Sequence, residues 1–141
     1  MRIVGLDFGE RRIGVAISDA TRTLARPVGV LTRPRSEADT LRLVADEIAR
    51  LAREEDGVES IVVGLPSRLD GTPSAMTPRV HALARQIAAA SGLPVMFQDE
   101  RLSSREAESR LALREKDWRA RKKKLDAAAA AIILQDYLDS R

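Results

Sequence analysis

The sequence has no cysteine, a single histidine and only 3% aromatic residues in 141. Without cysteine there are no disulfides and no thiolate zinc sites. One histidine excludes a multi-histidine metal centre and removes most of the footing for histidine-assisted serine or cysteine nucleophiles. Any metal must therefore be held mainly by carboxylates, which selects a hard cation such as Mg²⁺ or Mn²⁺. Long apolar runs are missing as well. No stretch approaches the ~20 residues of a membrane span, and the opening MRIVGLDFGERR acquires charge too soon for a signal peptide. The expectation is a cytoplasmic chain with no membrane partner. Its length implies one domain over residues 1–141, long enough to bury a core unaided.

Charge is nearly balanced, with 24 Lys/Arg against 21 Asp/Glu, but it is unevenly placed. Residues 114–124 (REKDWRARKKK) carry seven basic and two acidic residues, a net of +5, which leaves −2 for the rest of the chain. Such a block is either a solvated, mobile stretch or a contact for an anionic partner such as nucleic acid.

Residues 2–8 form a nearly continuous apolar run, as expected of a strand covered on both faces. After a turn at Gly9-Glu10-Arg11, Ile13, Val15 and Ile17 alternate with Gly14, Ala16 and Ser18, a strand with one small-residue face. Residues 24–32 form a third strand, which Pro27 and Gly29 place near an edge or a bulge. The period then changes. From a Ser36 cap, Leu41, Val44, Ala45, Ile48, Leu51 and Ala52 recur at helical spacing as far as about Gly57. Strand four is Ser60–Leu65, and a helix opened by Thr77-Pro78 and closed by Gly92 leads to strand five, 94–98. Ser103 and Glu106 have capping-box spacing for a helix over 103–113, and Asp126 is expected to open an alanine-rich helix ending near Ser140. The order β-β-β-α-β-α-β-α-α predicts an α/β fold, a mixed five-stranded sheet with helices on both faces.

Three acidic positions stand out. Asp7 ends the apolar run, where an isolated carboxylate costs several kcal/mol unless paired, protonated or metal-bound; alternatively it only caps the Gly9 turn. Asp99-Glu100 follows strand five, at the carboxyl end of strands where ligands collect in open α/β sheets, although acids before a helix are also favoured by its dipole. Asp126 precedes five alanines, whose small side chains let a helix approach a sheet closely. Three carboxylates converging there would hold one or two divalent ions and suit in-line phosphodiester displacement, which requires no side-chain nucleophile. His81, on the second helix, is read as a partly exposed residue with no role.

The runs GLDFGERRIGVAISD, GLP at 64–66 with Asp70-Gly71 in the following loop, DERLSS at 99–104 and LDAAAAAIILQDYLD at 125–139 together resemble the YqgF (RuvX) family. The match covers nearly the whole chain, in order. These are bacterial relatives of Holliday-junction resolvases with an RNase H-like fold, so the resemblance implies that fold and a nuclease acting on the 5′ end of pre-16S ribosomal RNA in ribosome biogenesis. It further implies that Asp7, Glu100 and Asp126 are the acidic catalytic positions binding Mg²⁺ or Mn²⁺, that Gly5 and Gly9 let backbone approach the site, and that Arg101 and Ser103 stand beside the scissile phosphate. Ser67-Arg68 departs from the more apolar residue expected after Gly-Leu-Pro.

The binding side can be read from the residues themselves. Arg11, Arg12 and Arg101 flank the proposed site and suit bidentate phosphate contacts. The basic segment, with Arg119, Arg121, Lys122, Lys123 and Lys124, would make binding strongly salt-dependent. Trp118 within it could stack on an unpaired base or anchor the segment to the core or to a second subunit. The partner is structured RNA or branched DNA, and symmetric junction cutting would call for a homodimer. The competing readings are a binding module without cleavage, and one half of a sugar-kinase-type ATPase, for which the chain is too short.

Overall fold

The computed structural model describes residues 1–65, 77–99 and 118–141. Its elements are β1 (Arg2–Phe8), β2 (Arg12–Ser18), β3 (Ala25–Thr32), α1 (Glu37–Ala52), β4 (Val58–Leu65), α2 (Thr77–Ser91), β5 (Val95–Asp99) and α3 (Trp118–Asp139). The helix expected at 103–113 lies outside the described residues. The five strands form one sheet in the order β3-β2-β1-β4-β5. β1 pairs antiparallel with β2 and parallel with β4, β2–β3 is antiparallel and β4–β5 parallel, so the sheet is mixed as expected.

The pattern of each strand follows from what covers it. On one face Val4, Leu6, Phe8, Ile13, Val15, Ile17, Ile61 and Val63 pack with Val44, Ile48 and Leu51 of α1 and Val80, Leu83 and Ile87 of α2. On the other, Ile3, Ala16 and Val62 pack with Ala130, Ile133, Leu134 and Leu138 of α3. Ile3, Val4, Leu6 and Phe8 of β1 are therefore buried in one apolar cluster or the other, and each fully buried Ile or Leu contributes about 1.5–3 kcal/mol. β3 lies at the edge, and the β2–β3 register shifts between Val15 and Ala16, which accommodates Pro27 in the strand.

Helix boundaries obey local chemistry. The Ser36 side chain accepts a hydrogen bond from the Asp39 N–H at 3.0 Å and caps α1. That helix ends at Ala52, earlier than its sequence pattern suggests, and a turn leads to Gly57 at φ +60°. Gly92, at φ +71°, ends α2. The expected start of the last helix at Asp126 is corrected by the structure: α3 begins at Trp118. Lys, Arg and Leu are good helix formers, and nothing between 118 and 126 breaks the turn. No helix among the described residues is long and apolar enough to cross a membrane.

α3 approaches the sheet unusually closely because the strands beneath it are small. A Cβ on Gly5 would lie 2.9 Å from the Leu134 Cβ, and one on Gly14 would lie 2.1 Å from the Asp126 carbonyl oxygen. Farther along the helix, Gln135 ties it to the β2–β3 connection, its Nε2 donating to the Thr23 carbonyl and its Oε1 accepting from the Ala25 N–H, both at 2.9 Å. Gly14→Ala should therefore cost about 1–3 kcal/mol as α3 is pushed outward, lowering Tm in calorimetry by roughly 4–12 °C. Gly29→Ala, where an added Cβ meets nothing within 4 Å, should stay within about 0.5 kcal/mol of the parent. Equal Tm values for the two variants would contradict the close approach.

Candidate active site

β1, β4 and β5 end at one edge of the sheet; β3, antiparallel to β2, ends there as well, and β2 begins there. This edge collects Asp7, the Gly9–Arg12 turn, the segment before α1 and the first turn of α2. Gly9 makes the turn possible: its N–H donates to the Arg12 carbonyl at 2.8 Å, and a Cβ there would lie only 2.9 Å from that same oxygen. Arg33 fastens the turn to the end of β3, its N–H donating to the Arg11 carbonyl and its Nη1 to the Gly9 carbonyl, both at 2.9 Å.

Asp7 lies directly opposite Gly14 across the β1–β2 ladder. Residues in that relation project to the same face, and the Cα–Cβ direction of Gly14 points at the Asp126 backbone. Asp7 is thus on the α3 face, one strand spacing of about 4.8 Å from the strand over which Asp126 sits. Both acids are half-buried. Residues 119 positions apart in sequence are brought together, at the end of a strand and on the third turn of a helix. Asp126 does not cap α3; it is held there by the contact with β2.

Arg12, on the same face, places its Nη1 3.5 Å from the Asp126 Oδ2, in an ion pair with roughly a third of each side chain exposed. Such a pair contributes only about 0.2–1 kcal/mol. Its consequence is orientation: it turns the Asp126 carboxylate into a cleft of about 410 Å³ lined by Gly9, Glu10, Arg11, Arg12 and Asp126. Two carboxylates brought to one sheet edge offer the charge and the oxygen donors that a divalent cation takes. Hard oxygen donors in a polar, open cleft fit Mg²⁺ or Mn²⁺. Among the described residues no group of three or more potential metal ligands is found; the third expected acid, Glu100, lies outside them, as do Arg101 and Ser103.

The other expected positions divide. Arg11 and Arg12 line the cleft as anticipated. Gly5 faces the body of α3, so the close approach it permits is to Ala130 and Leu134. Asp99 is not brought to Asp7, because Val95 and Met96 pack on opposite faces and alternation puts exposed Asp99 on the α1/α2 face, two strands from β1. Trp118, Arg119, Arg121, Lys122, Lys123 and Lys124 fall in the helical turns of α3 that precede Asp126, so this part of the basic segment is helix rather than an irregular stretch. His81 packs its ring on Phe97, with centroids 4.5 Å apart, away from the α3 face. Sequence reasoning passed over Gly14, Glu10, Arg33, Arg35 and Arg79. The last three were findable, since an antiparallel meander necessarily returns the end of its third strand to the edge where the first one ends.

Comparison with known proteins gives the family and the fold. A family model described as RuvX, Holliday junction resolvase, matches residues 1–140. A protein of Symbiobacterium thermophilum named "Putative pre-16S rRNA nuclease" is 46% identical, covering 100% of this chain and 94% of its own. One of the same name from Anaeromyxobacter sp. is 45% identical, covering 100% and 98%. Among solved structures, Thermus thermophilus RuvC in complex with a Holliday junction substrate matches with a TM-score of 0.58 at 15% identity, covering 100% of this chain and 95% of that one, a likeness of fold. A hexokinase from the same organism matches with a TM-score of 0.50 at 26% identity, covering 77% of this chain and 38% of its own. Because the ion pair with Arg12 leaves roughly a third of each side chain exposed, Asp126→Asn should change Tm by less than about 4 °C in either direction. A larger loss by calorimetry would make Asp126 a support of the fold.

Proposed function

The chain belongs to the RuvX family of Holliday junction resolvases, and from that premise we propose that it is a metal-dependent nuclease whose cation is held by Asp7, Glu100 and Asp126. The observation that carries the proposal is the placement of Asp126 over Gly14, beside Asp7 at the carboxyl edge of the sheet. We read residues 1–141 as one such domain, working in the cytoplasm. When bound, Mg²⁺ or Mn²⁺ supplies charge stabilisation to the transferring phosphoryl group.

The remaining work belongs to the chain's own side chains. Arg12 keeps the Asp126 carboxylate aimed into the cleft, and its planar fork, with that of Arg11, is suited to grip phosphate oxygens on either side of the scissile bond. The family resemblance adds Arg101 and Ser103 beside that phosphate. Arg119, Arg121, Lys122, Lys123 and Lys124 lie in the turns leading to Asp126, so phosphate contacts made by the start of α3 would draw the backbone toward the acids. Trp118, at the head of that helix, is assigned to stacking on an unpaired base or to anchoring.

The names borne by the close relatives favour the 5′ end of pre-16S rRNA as substrate. The family's description favours branched DNA as the second reading, in which two symmetric cuts would require a homodimer. Cleavage of matched RNA and four-way DNA substrates, read beside the molecular mass in solution, separates the two. In either case Asp7→Asn should reduce Mg²⁺-dependent cleavage by roughly 10²–10³-fold or more, the scale of losing one preorganised charge-stabilising group, while affinity for the nucleic acid is unchanged or increased. Equal cleavage by the purified variant would dispose of the catalytic assignment.

A further inference from the structure

Two more clefts continue from the one that holds Asp126. Glu10 and Arg11 are shared with a second, of about 580 Å³, whose lining includes Arg33, Arg35 and Arg79. Arg35, Glu37 and Arg79 are shared in turn with a third, of about 430 Å³, that reaches Gln86 on α2. The result is a continuous trough, leaving the acidic cleft and crossing the N-terminal ends of α1 and α2 toward the other side of the sheet.

Its charge is one-sided. Among the described residues that line the second cleft, four arginines (11, 33, 35 and 79) meet two acids, Glu10 and Glu37. Arg33 pairs with Glu37 at 3.1 Å, which removes that acid from the balance. Arg11, Arg35 and Arg79 are exposed, and their side chains make no hydrogen bond or ion pair among the described residues. Arg79 stands in the first turn of α2, and Arg35 immediately precedes the α1 cap. Cations are unfavourable at those helix ends, so neither arginine is explained by helix stability. An anion lying in the trough would reverse the sign, because guanidinium groups and the positive ends of the helix dipoles would then face the same negative charge.

We propose that this trough carries the phosphodiester backbone of the strand flanking the cleaved bond, with Arg35 and Arg79 as its outer phosphate contacts. The inference rests on the nuclease reading for its starting point but concerns binding alone. Spacing favours a polyanion over a single phosphate: the basic groups are distributed along connected clefts, and the inner end opens on the acids.

The test is the double variant Arg35→Gln/Arg79→Gln in the full chain, with strands of about twenty and about four nucleotides, as RNA and as DNA, bound without divalent metal. Losing two contacts should lower the slope of log K against log salt by about 1.5 for the long strand. Raising salt from about 50 to 200 mM should then weaken the variant about eightfold less than the parent. The short strand, confined to the inner cleft, should bind unchanged, and Arg35→Lys/Arg79→Lys should restore the slope. The backbone whose slope falls identifies the strand that is carried. An unaltered slope for both long strands, or an equal loss for the short ones, would overturn the trough. Cleavage by Asp7→Asn, followed in parallel, reports separately on the nuclease reading, since that variant should keep the parental slope.

Discussion

Asp126 reaches the edge of the sheet only because position 14 has no side chain. With a methyl group there, its carbon would lie 2.1 Å from the Asp126 carbonyl, far inside van der Waals contact, and α3 would have to move. The strand pairing then fixes the rest. Gly14 is the cross-strand partner of Asp7, so whatever stands over Gly14 also stands beside Asp7. Small residues along the rest of the interface keep the helix down, with Ala16 on the sheet and Ala127, Ala129 and Ala130 buried on the helix. Packing of α3 on β2 thus sets the separation of the backbones that carry the two acids.

Electrostatics at this edge follows from that placement. Both carboxylates are half-buried, and among the described residues the partner of Asp126 is Arg12, at 3.5 Å and only partly desolvated. A weak partner suits a site that must exchange it for another charge. Farther out the balance changes sign, through Arg11, Arg35 and Arg79. A polyanion is thereby attracted to the surroundings and repelled from the acids themselves unless a divalent ion intervenes. That ordering of charge fits phosphodiester chemistry better than binding alone, for which the central acids would only be a cost.

Much of this was legible in the sequence, for identifiable reasons. The uninterrupted apolar run of β1 announced a strand covered on both faces, the alternation of Ile13, Val15 and Ile17 with Gly14, Ala16 and Ser18 announced a strand with one small-residue face, and the five alanines after Asp126 announced a helix able to approach a sheet closely. Pro27 and Gly29 marked the edge strand. Asp126 was singled out because the five alanines after it let a helix approach a sheet closely, as the packing over Gly14 does; only its reading as the opening residue of that helix failed, because helix propensity on both sides of it is high and the start lies at Trp118. Its position depends on tertiary packing, which local pattern does not encode. Asp99 looked equivalent to its neighbour until strand parity assigned it to the opposite face. Arg35 and Arg79, 44 residues apart in sequence, acquire a common meaning only once the ends of β3 and the start of α2 meet at one edge.

The central claim is that Asp7 and Asp126 share one divalent cation. Anomalous diffraction from crystals of the full chain soaked in Mn²⁺ tests it directly. The account predicts a peak at bonding distance from carboxylate oxygens of both residues, lost in crystals of Asp126→Asn. A peak bound by only one of the two, or manganese found only elsewhere on the molecule, would contradict it.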